Sequence, residues 1–219
     1  MYERELDGRV LSFGHAGMLF KNSFLFYDHQ TNSIWVHVTG EAFHGPLKGK
    51  KLKFMPSTVT TWEKWKARYP QTLVLPGRRS ETFMGIYDGM TTTRGLGLSV
   101  VVRFKAKLYP FAALLKRPVV NDRFNGVAVL VVYSKGAKTA TAWKRVLDGR
   151  RLTFSRAEAK DRFGNRLLRD RETGSIWSWL TGEAVSGPLR GRRLGQLTYH
   201  PILNDRFKAF YQKAPIFGE

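Results

Sequence analysis

The stretch SIWVHVTGEAFHGPLKGKKL at residues 33–52 returns as SIWSWLTGEAVSGPLRGRRL at residues 175–194. Extended back to an aspartate, Asp28–Leu52 and Asp170–Leu194 align without a gap and are identical at 14 of 25 positions. A repeat that served catalysis would keep the same reactive groups in both copies. A repeat that served architecture would keep turns and apolar anchors while reactive side chains drift. The fold is therefore predicted to be built on an internal duplication. Comparing the two copies distinguishes a catalytic repeat from an architectural one.

The match extends upstream, where LDGRVLSF at residues 6–13 corresponds to LDGRRLTF at 147–154 after a one-residue slip. The long apolar segment that precedes the second copy has no counterpart before the first. We therefore expect the first unit to lack its beginning. The expected organisation is an incomplete first repeat unit with a helix over 1–76, a connection over 77–97 and a complete second unit over 98–219.

Short runs of β-branched and aromatic residues bounded by Gly, Asn and Asp predict strands. DHQTNS and DRETGS each join two such runs, and Asp followed by Asn or Gly is typical of a hairpin turn. Helices are predicted only within residues 57–70, 109–118 and 204–215. The predicted fold class is α+β, mainly β, built from internally duplicated antiparallel β units with a few short helices.

The residues that both copies keep are those that turn or anchor a backbone, whereas two histidines of the first copy are lost from the second. This pattern favours architecture over catalysis. The repeat anchors are predicted to be Asp28, Thr31, Trp35, Thr39, Gly40, Gly45 and Pro46, with Asp170, Thr173, Trp177, Thr181, Gly182, Gly187 and Pro188.

The charge is strongly positive, with 37 Lys and Arg against 17 Asp and Glu and a formal net charge of +20. Such a field attracts anionic partners, and an anionic polymer or an anionic membrane surface is expected. Nucleic acid is a further alternative, although the chain carries no nucleic-acid-binding motif.

The absence of cysteine excludes disulfides, thiolate metal sites and thiol nucleophiles. The longest apolar run, Val127–Tyr133, is far shorter than the roughly 20 residues of a membrane-spanning helix.

Two glycine-containing turns keep their positive charge in both copies although lysine is exchanged for arginine. Two like-charged turns make a bivalent surface for an extended polyanion. The alternative is a pair of solvated turns. The predicted polyanion-binding residues are Lys48, Lys50, Lys51, Lys53, Arg190, Arg192 and Arg193.

Two other sets of side chains are candidates for catalysis and for metal binding. An enzyme, hydrolase-like, is the alternative to a binding or structural domain, with Asp28, Glu41, Asn121 and Asp122 in a cleft between the repeats. His37, Glu41 and His44 are a candidate metal set, but the second copy replaces both histidines and offers no substitute ligand. No nucleophile elbow, phosphate-binding glycine loop or H-E-x-x-H motif is present. No cofactor is predicted.

The hairpin D-x-x-T-x-S-x-W, the stretch T-G-x-A-x-x-G-P-L-x-G and the later segments TTWEKW and YP…VND…G resemble the bacterial domain-of-unknown-function family 3179. In this chain they begin at Asp28, Thr39, Thr60 and Tyr109. The resemblance covers nearly the whole sequence. It implies a duplicated domain whose biochemistry is undefined.

Many members of that family look exported or envelope-associated, and the resemblance extends this expectation to the chain, although Met1 opens no signal segment. The resemblance also implies a Cys-x-x-Cys pair after the strand VLVVY of the first unit. This chain contains that strand only once, before the second copy of the repeat, and Ser134 follows it at the place that corresponds to the cysteine. Redox or metal chemistry at that place is therefore not expected.

Overall fold

The computed structural model describes residues 1–74, 95–161 and 166–219. These residues form two compact units, each completed by a piece from the end of the chain. The first unit is Met1–Ser57 with Asp205–Lys213, and the second is Thr58–Asn204 with Ala214–Glu219. Within the described residues, no helix is both long and apolar enough to cross a bilayer.

The first unit holds the first copy of the repeat as a two-stranded hairpin followed by a four-stranded antiparallel sheet. The sheet follows chain order, so each strand pairs with the next through a short turn. The strands are β1 (Glu5–Leu6), β2 (Arg9–Val10), β3 (Phe13–Phe20), β4 (Ser23–Asp28), β5 (Ile34–Val36) and β6 (Ala42–His44).

The second unit begins with helix α1 (Trp62–Arg68), which is capped by Thr61 as its hydroxyl accepts a hydrogen bond from the Lys64 backbone N–H. After the undescribed residues 75–94 the chain forms five strands and a short helix. These elements are β7 (Leu96–Val102), β8 (Lys105–Pro110), α2 (Phe111–Lys116), β9 (Val119–Phe124), β10 (Val127–Ser134) and β11 (Thr139–Lys144).

The second copy of the repeat repeats the hairpin and the four-stranded sheet. Its strands are β12 (Val146–Leu147), β13 (Arg150–Arg151), β14 (Phe154–Lys160), β15 (Arg166–Asp170), β16 (Ile176–Ser178) and β17 (Ala184–Ser186). The chain then adds β18 (Thr198–Leu203), which pairs with β7, and ends in helix α3 (Asn204–Phe210). All three predicted helices and the mainly-β α+β class are confirmed.

Strand β10 explains why the sequence runs through seven apolar residues without alternation. Neighbouring residues of a strand point to opposite faces of the sheet, and both faces of the β9–β10–β11 sheet are buried. Val129 and Val131 pack on one face with residues of β7, β8, α2 and β18. Leu130 and Val132 pack on the other face against the second repeat. The second unit is thus layered, with β9–β11 between two other sheets.

The two copies share their strand register as well as their sequence. In the first copy Trp35 lies opposite Ala42, and in the second Trp177 lies opposite Ala184. Each β-bulge falls at the same place, immediately before these tryptophans. The predicted internal duplication is confirmed at the level of backbone pairing.

The compact units group residues by contact, whereas the expected segments follow the sequence repeat, so the expected boundaries stay a prediction. Helix α1 was expected with the first repeat over 1–76, and it groups with the second unit. Helix α3 was expected in the second repeat unit over 98–219, and all of it except its first residue groups with the first compact unit. The expected connection over 77–97 falls largely outside the described residues, and its last two residues open β7.

Candidate functional site

Asp28 closes the β4–β5 hairpin from inside. Its side chain is fully buried and accepts hydrogen bonds from the Thr31 backbone N–H (2.6 Å), the Thr31 hydroxyl (2.8 Å) and the Trp35 indole N–H (2.9 Å). Burial opposes ionisation of the carboxyl. The hydrogen bonds from Trp35 and Thr31 outweigh it, so the pKa of Asp28 lies below its ordinary value.

The second copy reproduces this network almost atom for atom. Asp170 is fully buried and accepts from the Thr173 backbone N–H (2.6 Å), the Thr173 hydroxyl (2.9 Å) and the Trp177 indole N–H (2.8 Å). Both carboxylates are enclosed in the same way. Each of their described side-chain hydrogen bonds comes from a residue of the same hairpin. The arrangement holds the hairpin and the tryptophan together.

The following glycine turn is fastened to the same hairpin. The hydroxyl of Ser33 accepts a hydrogen bond from the Leu47 backbone N–H at 3.0 Å, and Ser175 does the same for Leu189. Gly45 has a φ of +95°, and a Cβ there would lie 2.7 Å from the Ser33 Cα. Only glycine fits this close approach of two backbone segments. The neighbouring anchors Pro46 and Pro188 are exposed in their turns.

Gly40 and Gly182 each lie against an aromatic ring, that of Tyr2 in the first copy and that of Trp143 in the second. A Cβ on either glycine would meet the aromatic ring, at 2.3 Å for Tyr2 and 2.6 Å for Trp143. Each ring also donates a hydrogen bond to the same carbonyl position: the Tyr2 hydroxyl to residue 37 (2.6 Å) and the Trp143 indole to residue 179 (3.1 Å). Each glycine follows an anchor threonine, residue 39 or 181, whose hydroxyl accepts from a backbone N–H two residues on.

The other candidate acid–base residues also have structural partners. Glu41 pairs with Lys51 at 3.1 Å. The Asn121 side chain donates to the Phe154 carbonyl at 2.7 Å and accepts from the Phe154 N–H at 2.8 Å, which ties β9 to the second repeat. Asp122 is the next residue on β9, so it points to the opposite face from Asn121.

On that face, Asp122 joins β9 to β8. It accepts hydrogen bonds from the Lys107 ammonium at 2.7 Å and the Tyr109 hydroxyl at 2.8 Å. Burial opposes its ionisation, but the contacts with Lys107 and Tyr109 outweigh it and hold the pKa of Asp122 below its ordinary value. Sequence reasoning missed Lys107 and Tyr109, because nothing in a single strand shows which residue of the next strand it will face.

The candidate metal set does not come together. The His37 ring stacks on Phe24 with centroids 4.1 Å apart, Glu41 is engaged by Lys51, and His44 is exposed on β6. Across residues 1–74, 95–161 and 166–219, no three His, Asp or Glu side chains gather closely enough to hold a metal ion.

Most of the predicted polyanion-binding cations are ion-paired with acids of their own copy. Lys50 pairs with Asp7 at 2.8 Å, and its counterpart Arg192 pairs with Asp148. The other pairs are Lys51 with Glu41, Lys53 with Glu3, and Arg193 with Glu183. Lys48 and Arg190 are exposed and form no ion pair with a described residue. The positive charge kept in both turns therefore has a local acidic counterpart kept in both copies.

A different cationic site lies within the second unit, in a cavity of about 390 Å³. Its floor is apolar and its rim carries five cationic side chains. None of the described residues that line it is acidic. The lining residues are Lys64, Val119, Val132, Tyr133, Ser134, Lys135, Gly136, Arg156, Lys160, Arg166, Leu167, Leu168 and Trp179.

Four elements supply these cations. Arg156, Lys160 and Arg166 come from β14 and β15, where Lys160 lies opposite Arg166 in the ladder. Lys64 comes from α1 and Lys135 from the β10–β11 turn. Apart from Lys64, which lies 3.9 Å from Glu63, none of them forms an ion pair with a described carboxylate. We name this site the basic pocket.

The first copy has no such cation cluster at the corresponding positions. By the register of the two sheets, Arg156, Lys160 and Arg166 correspond to His15, Leu19 and Phe24. The pocket residue Trp179 likewise corresponds to His37, whose ring is stacked on Phe24. A comparison of the positions at which the two copies differ would have identified this site, because three of them carry a Lys or Arg only in the second copy.

No curated protein and no solved structure matches the chain. The family described as "Protein of unknown function (DUF3179)" matches twice, over residues 1–89 and 96–218. The two matches divide the sequence as the internal duplication does and together cover nearly all of it. The chain belongs to the DUF3179 family.

Proposed function

We propose that this protein is a non-catalytic binding module that takes an anionic ligand in the basic pocket of its second unit. The observation that carries the proposal is the lining of that cavity, with five cations and no carboxylate among its described residues. A cleft lined by one sign of charge focuses the field and raises the local concentration of oppositely charged ligands.

The chemistry of the lining favours binding over turnover. Its described residues include no imidazole and no carboxylate, the groups that most often act as general base. Its hydroxyls are those of Ser134 and Tyr133, and Ser134 accepts a hydrogen bond from the Ala137 N–H at 3.3 Å. The side chains suited to acid–base work, Asp28 and Asp122, are bonded elsewhere.

The basic turns are the second place where an anionic polymer can bind. Their cations are exposed, and exposed ion pairs contribute only about 0–1 kcal/mol, so a polyanion can compete for them. The pocket is preferred as the primary site, because four of its five cations have no described acidic partner to displace.

The test measures binding of inorganic tripolyphosphate and of heparin by titration calorimetry at low and high salt. A pocket variant carries Arg156→Gln, Lys160→Gln and Arg166→Gln. A matched control carries Lys50→Gln, Lys51→Gln and Arg192→Gln, so both variants lose three positive charges. We expect the pocket variant to lose at least tenfold in affinity for tripolyphosphate and the control to stay within about twofold. Affinity should fall with salt, because exposed charges are screened over about 10 Å at 0.1 M.

Three outcomes would contradict the proposal. Absence of binding at low salt would remove it altogether. Equal losses in the two variants would show a general effect of net charge without a site. A larger loss in the turn variant would place the anionic partner on the turns, as the sequence predicts.

A further inference from the structure

The basic pocket has an apolar floor, which a bare inorganic anion would not use. Val132, Leu168 and Trp179 lie there, and each belongs to the apolar cluster that joins β10 to the second repeat. Cations from four separate elements stand around the rim. An amphiphilic lining of this kind matches a ligand with an anionic end and an apolar body.

The size of the cavity limits that ligand. About 390 Å³ lies within the usual range for small-molecule sites, roughly 300–1,000 Å³. A small organic anion, with one or two charged groups and a ring system, fills such a space. A polymer would place only one of its units in it.

The first copy shows which kind of apolar body fits at this position of the repeat. There, Phe24 on β4 stacks on His37 with centroids 4.1 Å apart, and His15 also stacks on Phe24, at 5.5 Å. In the second copy His37 is replaced by Trp179, and Phe24 by Arg166. No ring of a described residue stacks on Trp179. The repeat thus accommodates a ring over this position in one copy and supplies none in the other.

Resting on the proposed function, we infer that the ligand of the basic pocket is a ring-bearing organic phosphate or a closely related anion. Its ring lies against Trp179 and the floor, and its charged group faces the rim cations, among them Arg156 and Arg166. Trp179 is 3% exposed, so the ligand ring meets only the part of the indole that lines the cavity, and contact between aromatic rings adds to affinity beyond the area buried.

The experiment compares two ligands of equal charge, 1-naphthyl phosphate and methyl phosphate, on the full chain. We expect naphthyl phosphate to bind at least tenfold more tightly, with quenching of tryptophan fluorescence. The pocket variant Arg156→Gln, Lys160→Gln, Arg166→Gln should weaken both ligands. Trp179→Leu should remove most of the naphthyl advantage and leave the affinity for methyl phosphate within about twofold. AMP against ribose 5-phosphate repeats the comparison with a nucleobase as the ring, which separates nucleotides from other ring-bearing phosphates.

The failure of this inference is distinguishable from failure of the proposed function. If the two phosphates bind equally and the pocket variant weakens both, the pocket binds anions but the ring has no role. If neither binds, both proposals fall. If naphthyl phosphate binds more tightly but the pocket variant keeps that affinity, the ring is bound elsewhere and the inference is refuted. The ligand comparison needs no variant at Trp179, so a Trp179→Leu protein that fails to fold leaves it decisive.

Discussion

Replacing Asp28 with Asn removes one charge from the first hairpin and changes almost nothing else in shape. The carboxylate faces only donors: a backbone N–H, the Thr31 hydroxyl and the Trp35 indole N–H, at 2.6–2.9 Å. An amide keeps one oxygen and puts an NH2 group in place of the other. If the remaining oxygen serves Thr31, the amide N–H groups face the indole N–H of Trp35.

The expected cost follows from that mismatch. One hydrogen bond to a charged acceptor is lost, about 1.5–3 kcal/mol, and the buried indole N–H is left without an acceptor, about 1–3 kcal/mol. We expect a total loss of about 3–5 kcal/mol in the free energy of unfolding. That is a large part of the roughly 5–15 kcal/mol by which domains are stable. Asp170→Asn should cost a similar amount, since its three contacts have nearly the same lengths.

Urea unfolding followed by tryptophan fluorescence measures these losses. Asp7→Asn is the matched control, because Asp7 is an exposed carboxylate in a turn with a φ of +49°, a conformation that asparagine tolerates. It should cost less than about 1 kcal/mol. In a double-mutant cycle with Trp35→Phe, the Asp28–Trp35 coupling should be about 1.5–3 kcal/mol. A loss below about 1 kcal/mol in Asp28→Asn would refute the structural role and reopen a reactive one.

Three further results are expected. Gly182→Ala should cost roughly 2 kcal/mol more than Gly191→Ala in urea unfolding, because both glycines have positive φ but only the first would push a Cβ into an indole ring. Asn121→Ala should lower the free energy of unfolding by about 2–3 kcal/mol, since it strands a backbone N–H and a carbonyl between two sheets. The pKa of Asp122 is depressed in the folded state, so its stabilisation is complete above the unfolded pKa of about 3.9 and is lost as pH falls below it. The stability difference between wild type and Lys107→Met should therefore shrink in acid, as measured by unfolding from pH 3 to pH 7, and a difference that stays constant would contradict this assignment.

The hairpins could be predicted from sequence because their determinants are local. Asp28 and Thr31 lie three residues apart, and their hydrogen bonds form within one turn. The same turn needs a residue that tolerates positive φ, and Asn32 at +56° and Gly174 at +73° supply it. The internal repeat added a second sample of each turn, which separated necessary residues from accidental ones.

The contacts between strands distant in sequence could not be predicted in this way. Asn121 and Phe154 are 33 residues apart, and Lys107 and Asp122 are 15 apart on different sheets. Which of them meet depends on how sheets stack, and a single sequence does not encode that stacking in any local pattern. The sequence therefore placed Asn121 and Asp122 together in one candidate cleft, whereas in the structure they lie on opposite faces of β9.

The basic pocket was missed for a related reason. The residues that the two copies share define the repeat, whereas a site present in only one copy lies among the positions at which the copies differ. Arg156 and Arg166 correspond to His15 and Phe24, so an alignment of the copies treats them as drift. In a duplicated domain, shared residues report on the fold, while specialisation of one copy appears where the copies diverge.

The distribution of charge supports that argument independently. The turn cations lie beside acids that recur with them, as Asp7 recurs with Lys50 and Asp148 with Arg192. Such pairs add little to the net charge of +20. The surplus must lie where cations stand without acids, and the pocket rim gathers several of them around one apolar floor.

Like charges held together in this way repel one another, and a bound anion relieves that repulsion. Tripolyphosphate should therefore raise the unfolding temperature of the wild type and leave that of the pocket variant nearly unchanged. An equal rise in both would show that the anion acts on the protein's overall charge and not at this site.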